Sequence, residues 1–288
     1  MSQSLADYDL AMPSDNRSLQ SHGLSSRVYV PILVNIFNAK YAKGDEVVEF
    51  TLDDIRAAAQ ELGISVRNPA DLAYRMRSRT VLPELIRNEG FFILSAVGRG
   101  KYRLGKADSA IIDTPENEPL GTLDLTPFPV RRLLPENLAD FDEQALLTVV
   151  GYCKILDHFT GLTNFRLRSH VRKSVPRIGQ AELDEVSVAI AHREDEQPVI
   201  VPVEAKAVAD AINRVQISAM VSFCETYFPG HEVRPLAIKV DYESTVHVLE
   251  FNPTEEAADL TILRSAAYDI RLSEAQIELI RQTDQRLL

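Results

Sequence analysis

The stretch "ELDEVSVAIAHREDEQPVIVPVEAK" (residues 182–206) limits the possible fold of this chain more than any other part of the sequence. Two apolar runs flank a highly charged turn, a pattern typical of a β-hairpin. Side chains alternate between the two faces of a strand, so Glu204 and Lys206 share one face. Folding the hairpin about the centre of the charged turn makes paired residue numbers sum to about 389, which sets Asp184 opposite Ala205. The pattern therefore predicts that Asp184, Glu204 and Lys206 meet at one end of a sheet.

Two carboxylates and an ammonium group at that separation suit a hard divalent cation. Mg²⁺ prefers oxygen ligands and keeps several waters, so one or two carboxylates are enough to bind it. Such an ion polarises a phosphodiester and lowers the pKa of its water, while Lys206 stabilises charge on the phosphate oxygens. An acid two residues before a lysine carries little information alone. The information lies in its position after an apolar strand and an upstream acid. The alternative is a solvated hairpin end with ordinary surface charges.

The segment "ELDEVSVAI…VIVPVEAK" resembles the signature of the PD-(D/E)xK nuclease superfamily, to which many restriction endonucleases and junction resolvases belong. The resemblance covers roughly residues 141–270 in element order but only a few residues in motif. It implies Mg²⁺-dependent hydrolysis that leaves a 5′-phosphate, with Mn²⁺ as a substitute ion. It also implies that Asp184 and Glu204 bind the metal and that Lys206 is the catalytic lysine. Glu143 on the preceding helix and Gln216 on the following helix match further residues found in parts of the family.

Three features depart from that pattern. Leu183 stands before the first acid, where the signature has proline. Pro202 lies inside the third strand, which predicts an edge strand or a bulge because proline has no N–H to donate. Glu182 and Glu185 flank Asp184, so either is an alternative to it as a metal ligand.

The net charge of −11 argues against a nucleic-acid partner for the chain as a whole. Basic residues are nevertheless concentrated in two segments, residues 65–106 and residues 164–180, the second of which contains no acid. Salt screens charges beyond roughly 8–10 Å, so the local balance decides contacts with phosphate. Both segments are therefore candidate DNA-binding surfaces.

Residues 27–106 have the element order helix, strand, helix, helix, hairpin, which is typical of a winged helix-turn-helix domain. Thr51 is the predicted N-cap of the second helix. Asn68 and Pro69 begin the third helix, which is predicted to read DNA, and Gly98-Arg99-Gly100 forms the hairpin turn. The predicted DNA contacts in this domain are Arg67, Asn68, Tyr74, Arg75, Arg77, Arg79, Arg99 and Lys101. Those of the second basic segment are Arg166, Arg168, Arg172 and Lys173. Winged helices also dock other proteins, so that alternative stays open.

The remaining boundaries follow from composition. Residues 1–26 are polar and serine-rich and are predicted to form a flexible arm. The segment 107–140 is rich in proline and acids and is predicted to be a linker with a few short ordered pieces. Residues 141–288 are predicted to form a restriction-endonuclease-like domain, a mixed sheet flanked by helices that ends in a helix at 273–288. The expected fold class is α/β (α+β).

Other features exclude several classes of protein. Cys153 and Cys224 are too few for a disulfide framework, so a reducing, cytoplasmic location is expected. No apolar run reaches membrane-spanning length, and no glycine-rich loop indicates a nucleotide cofactor.

The leading hypothesis is a Mg²⁺-dependent endodeoxyribonuclease that acts on double-stranded DNA, most simply a type II restriction endonuclease. Two strands need two cuts, so a homodimer is expected. One alternative is a DNA-binding regulator or adaptor whose nuclease-like domain is inactive and serves dimerisation. Another is a repair or junction nuclease that acts on branched or damaged DNA.

Overall fold

The chain folds around two separate hydrophobic centres. The computed structural model describes residues 19–78, 80–122, 142–191 and 197–269. One core draws its buried residues only from positions 32–104, and the other buried clusters lie largely between positions 112 and 268. We call residues 19–106 the amino-terminal unit and residues 107–269 the carboxy-terminal unit. Helices and a seven-stranded mixed sheet confirm the predicted α/β class.

The amino-terminal unit is a small three-stranded sheet covered by helices. Its strands lie in the antiparallel order β1-β3-β2, and phenylalanines from α1, β1 and β2 fill the core. Helix α1 begins earlier than predicted, so residues 19–26 belong to a helix and not to the predicted flexible arm, whereas residues 1–18 lie outside the described residues. The elements are α1 (Leu19–Lys40), β1 (Val47–Thr51), α2 (Leu52–Glu61), α3 (Pro69–Ser78), α4 (Glu84–Asn88), β2 (Phe91–Gly98) and β3 (Lys101–Lys106).

Local sequence signals explain the ends of these elements. The Thr51 side chain accepts from the N–H of Asp54 while the Asp54 side chain accepts from the N–H of Thr51, which is a complete capping box at the start of α2. At the β2–β3 turn, Gly100 has a φ of +67°, and a Cβ there would lie 2.9 Å from the side chain of Leu52. The predicted cap and the predicted hairpin are both confirmed.

The carboxy-terminal unit is built on a seven-stranded sheet in the order β5-β12-β11-β10-β8-β7-β6. Strands β8 and β10 are parallel, as are β12 and β5, and the other neighbours are antiparallel. A further two-residue pair joins β4 to β9. The elements are β4 (Ile111–Ile112), β5 (Pro119–Thr122), α5 (Glu143–Tyr152), α6 (Ile155–Thr160), β6 (Thr163–Val175), β7 (Gly179–Ile190), β8 (Val199–Lys206), β9 (Ile212–Asn213), α7 (Arg214–Tyr227), β10 (Leu236–Val240), β11 (Thr245–Phe251) and β12 (Ile262–Asp269).

Helices cover both faces of this sheet. On one face, Val201, Val203 and Ala205 of β8 pack against α5 and α6. On the other, Ile200 of β8 packs in a cluster with residues of α7. The alternation of the strand therefore sets the even-numbered residues of β8 on the α7 face.

Several predicted boundaries need correction, while the predicted linker does contain short ordered pieces. Residues 119–122 form β5, an edge strand of the main sheet, because they pair with β12, a strand that was not predicted. Helix α7 begins at Arg214 and not near residue 207, since Asn213 caps it and accepts from the N–H of Val215. Residues 123–141, most of the charged turn (192–196) and the predicted last helix (273–288) lie outside the described residues.

Strand β8 is central, contrary to the prediction that Pro202 indicates an edge strand or a bulge. It lies between β7 and β10, and Pro202 pairs in register with Val186. The N–H of Ile200 donates to the carbonyl of Glu232, on the β10 side of the strand. The nitrogen of Pro202, two residues later, therefore also points towards β10. The ladder with β10 starts only at Val203, so the missing N–H falls just before it.

None of the helices in the described ranges is both long and apolar enough to cross a lipid bilayer.

Candidate active site

A cavity of about 310 Å³ opens on the α7 face of the sheet, between the two units. It brings together residues that are far apart in the sequence, including all five predicted catalytic positions. Its lining comprises Tyr74, Arg77, Glu143, Arg172, Gln180, Glu182, Asp184, Glu204, Lys206, Val215, Gln216 and Ala219. The lining therefore combines four carboxylates with three cationic side chains.

The β7–β8 hairpin positions the first acid and the acid–lysine pair. Paired residues run from Ala189↔Val199 to Glu185↔Val203, one residue away from the predicted register. A shift of one residue moves a side chain to the other face, and the observed register puts Asp184 on the same face as Glu204 and Lys206. The carboxylate of Asp184 accepts from the N–H of Ala205 at 2.8 Å, which fixes it at the end of the hairpin. The predicted pairing of Asp184 with Ala205 was thus wrong, while the predicted cluster of three side chains is observed.

Glu204 lies at the centre of the hydrogen bonds in this cavity. Its Oε1 accepts from Nζ of Lys206 at 2.5 Å and from Nε2 of Gln216 at 2.7 Å. Burial raises the pKa of Glu204 to about 7, although the Lys206 charge acts in the opposite direction. Burial by itself would lower the pKa of Lys206, but the charges of Glu204 and Asp184 hold it above its ordinary value. Lys206 therefore stays an ammonium group.

The other acids differ in their position relative to the cavity. Burial raises the pKa of Asp184 despite its bond to Ala205, and the nearby carboxylate of Glu143 adds to that effect. Glu182 lines the same cavity and is exposed. Glu185 is buried on the opposite face, where it pairs with Arg166, so it is not an alternative ligand in this cavity.

The donors in the cavity fit a hard divalent cation in chemical type. Asp184 and Glu204 provide carboxylate oxygens, and the raised pKa of both acids indicates that the protein alone does not fully compensate their charge. Among the described residues, no group of three or more His, Cys, Asp or Glu side chains is arranged to hold a metal ion. Waters or substrate oxygens would therefore complete the coordination of Mg²⁺ or Mn²⁺.

The predicted DNA contacts separate into four groups. Exposed side chains on the surface are Arg67, Asn68, Arg99, Lys101, Arg168 and Lys173. Tyr74, Arg77 and Arg172 instead line the cavity, and Arg172 donates to Gln180 at 3.1 Å. Arg75 pairs with Asp71 at 2.8 Å. Arg79 lies outside the described residues.

A second cavity of about 330 Å³ lies on the opposite face of the sheet, lined by residues of α5, α6, β6 and β7. Its floor is the ion pair between Arg166 and Glu185, with Nε 2.5 Å from Oε2. Ser187 donates to the same carboxylate at 2.7 Å, and Arg166 also donates to the carbonyl of Leu147. Arg166, predicted as a DNA contact, is thus committed to a buried acid of the fold.

Replacing Arg166 with alanine is expected to destabilise the protein by about 2 kcal/mol, because it leaves the buried carboxylate of Glu185 without its cation. The guanidinium is partly exposed, which keeps the loss at the low end for such pairs. Arg168→Ala is the matched control, since that side chain is exposed on the same strand. Urea unfolding measures both free energies. Equal losses in the two variants would contradict a structural role for Arg166.

Comparison of the chain with protein-family models, with curated proteins and with solved structures gave no significant match. Any functional conclusion therefore rests on the geometry of the cavity alone.

Sequence reasoning did not assign Gln180 to the cavity, nor did it place Tyr74 and Arg77 there. Gln180 is the second residue of β7, directly after the turn from β6, where no local pattern distinguishes it from its neighbours. Tyr74 and Arg77 were visible as part of a basic helix, but only the packing of the two units brings them to the acids.

Proposed function

We propose that this protein is a Mg²⁺-dependent endodeoxyribonuclease that hydrolyses phosphodiester bonds of double-stranded DNA, with Mn²⁺ as a substitute ion. One observation carries the proposal. Asp184, Glu204 and Lys206 line one open cavity, in which Gln216 and Lys206 both bond to Glu204. A stable core needs none of these four polar groups at that position, whereas phosphodiester hydrolysis uses each of them.

Each side chain has a defined task in this proposal. Asp184, held by the N–H of Ala205, and Glu204, held by Gln216, would bind the ion, which supplies Lewis-acid polarisation of the scissile phosphate. Lys206 stays charged and stabilises the negative charge that develops on the phosphate oxygens. A water oxygen bonds to phosphorus and the bond from phosphorus to the 3′ oxygen breaks. The products are a 5′-phosphate and a 3′-hydroxyl.

The order of strands around the site also supports the proposal. The three neighbouring strands β6, β7 and β8 are followed by α7 and by β10, which runs parallel to β8. Glu143 is the first residue of α5, which precedes these strands in the chain. That arrangement is compatible with the restriction-endonuclease-like fold to which the sequence is similar. The amino-terminal unit, with its helices and hairpin, is proposed to be a winged helix-turn-helix domain that binds DNA.

Incubation of the full chain with supercoiled plasmid and millimolar Mg²⁺ tests the proposal. Nicked or linear plasmid that forms with Mg²⁺, and not with chelator, is the expected result. Discrete fragments from long duplex DNA would indicate restriction, whereas cleavage only of branched DNA would indicate a repair or junction nuclease. Plasmid that is bound but left intact at every Mg²⁺ or Mn²⁺ concentration would contradict the proposal.

A regulator or adaptor with an inactive nuclease-like domain is the second candidate. It is favoured by the short ion pair between Lys206 and Glu204, which engages both side chains that the nuclease would use. DNA binding without cleavage, in a protein whose mass in solution is that of a dimer, would support it. We propose a homodimer for the nuclease as well, because a duplex has two strands to cut.

A further inference from the structure

The helix that was predicted to read DNA faces the candidate active site. Helix α3 contacts α7, and Ile93 of β2 packs in a small apolar cluster with Val215 of α7 and Ala257. Through this contact, Tyr74 and Arg77 of α3 form part of the wall of the cavity that holds Asp184 and Glu204. The amino-terminal unit thus contributes side chains to a site whose acids all come from the carboxy-terminal unit.

Arg77 occupies an unusual environment for a cation. It is half-buried, and its Nη1 donates to the carbonyl of Ile178 at 3.3 Å, in the turn between β6 and β7. Among the described residues no carboxylate forms an ion pair with it, and near it lie the phenols of Tyr74 and Tyr102, which are uncharged at neutral pH. Burial lowers the pKa of Arg77, yet a guanidinium stays protonated at neutral pH.

Burying the positive charge of Arg77 costs free energy unless an anion pairs with it. A desolvated cation is stabilised by a partner of opposite charge, and a guanidinium presents donors in a planar fork that matches the oxygens of a phosphate. One carbonyl at 3.3 Å uses little of that capacity. The cavity that Arg77 lines is also the place where the scissile phosphate would meet the acids.

We propose that Arg77 binds a phosphate of the DNA strand inside the active-site cavity, so that the amino-terminal unit completes the cleavage site. Arg172, which lines the same cavity from β6, contributes a second cation from the carboxy-terminal unit. This inference rests on the proposed function, since its ligand is the DNA to be cut. It assigns to α3 a role in holding the substrate at the reacting centre, in addition to any reading of bases by the exposed Arg67 and Asn68.

Single-turnover cleavage of plasmid at saturating protein tests this role with Arg77→Met, which keeps most of the alkyl stem and removes the charge. We expect the rate to fall about 100-fold, as for removal of one charge-stabilising donor. Arg56→Met is the matched control, because Arg56 pairs with Asp53 on the surface of α2. It should cleave at the wild-type rate. Affinity for a labelled duplex without metal and the unfolding temperature are measured for each variant.

Chemical rescue separates a phosphate contact from a role in packing. Ethylguanidinium is expected to restore part of the rate to Arg77→Ala and none to Lys206→Ala, which a packing role does not predict. Cleavage by Arg77→Met at the wild-type rate would overturn the inference, as would a slow Arg77→Ala that ethylguanidinium leaves unchanged. A wild-type protein that never cleaves DNA would refute the proposed function, and the role of Arg77 in cleavage would fall with it.

Discussion

Replacing Lys206 with alanine is expected to lower the rate of Mg²⁺-dependent plasmid nicking by about 10²- to 10³-fold. Lys206 is the ammonium group nearest the acids, 2.5 Å from Glu204, and it stays charged in the cavity. Its loss removes the positive charge that offsets the negative charge developing on the phosphate oxygens. Initial rates of conversion of supercoiled to nicked plasmid measure the effect.

The control must separate chemistry from folding. Lys154→Ala is matched, because Lys154 is exposed at the start of α6 on the other side of the sheet. It should nick at the wild-type rate. The Lys206→Ala protein also leaves the buried Glu204 unpaired, so its unfolding temperature has to be recorded at the same pH. A folded Lys206→Ala protein that nicks as fast as wild type would exclude Lys206 from the reaction.

The affinity for Mg²⁺ is expected to depend strongly on pH, because a proton and the ion compete for Glu204. Burial raises the pKa of this acid to about 7. Well below that pH the affinity should fall about tenfold per unit. Half of the Glu204 carboxyls are already protonated at pH 7, so the loss between pH 7 and pH 5.5 is roughly 15-fold. Titration calorimetry with Mg²⁺ at several pH values measures the dependence. In Glu204→Gln the affinity should be low at every pH and should no longer follow pH in this way.

The same group predicts how the stability of the metal-free protein changes with pH. The folded-state pKa of Glu204 is higher than its ordinary value of 4.5, so between these values the folded state binds more protons than the unfolded state. The contribution of Glu204 to the free energy of unfolding is fully present below pH 4.5 and is lost as the pH rises through 7. The loss is at most about 3 kcal/mol. The difference in unfolding free energy between wild type and Glu204→Gln isolates it. A difference that stays constant from pH 5 to pH 8 would contradict the raised pKa.

The packing of α3 changes the hypothesis for DNA binding. The sequence predicted that Tyr74, Arg75 and Arg77 of α3 each contact DNA. In the structure, Tyr74 and Arg77 face the acid-lined cavity, and Arg75 pairs with Asp71. The exposed residues at its amino-terminal end, Arg67 and Asn68, remain the best candidates for base contacts. DNA binding and cleavage would then take place on one continuous surface, so that the position of the cut is fixed relative to the bound DNA.

The sequence by itself determined the parts of the site that lie within one hairpin. Alternation of apolar residues placed Glu204 and Lys206 on one face, and the upstream acid Asp184 came near them even though the predicted register was wrong by one residue. The capping box at Thr51 and the turn at Gly100 were equally readable, because each depends on residues close together in the chain. The backbone geometry of caps and turns depends on neighbouring residues, so a short segment of sequence is enough to predict it.

Only the tertiary structure decided which side chains stand opposite each acid. It paired Glu185 with Arg166, placed Pro202 in a central strand, and drew residues 119–122 into the main sheet. It also brought Arg77 across to the acids. These outcomes depend on pairing and packing between segments that lie tens of residues apart. Many arrangements of such segments satisfy the same local pattern. The chain adopts the arrangement that buries the most apolar surface while its polar groups form hydrogen bonds.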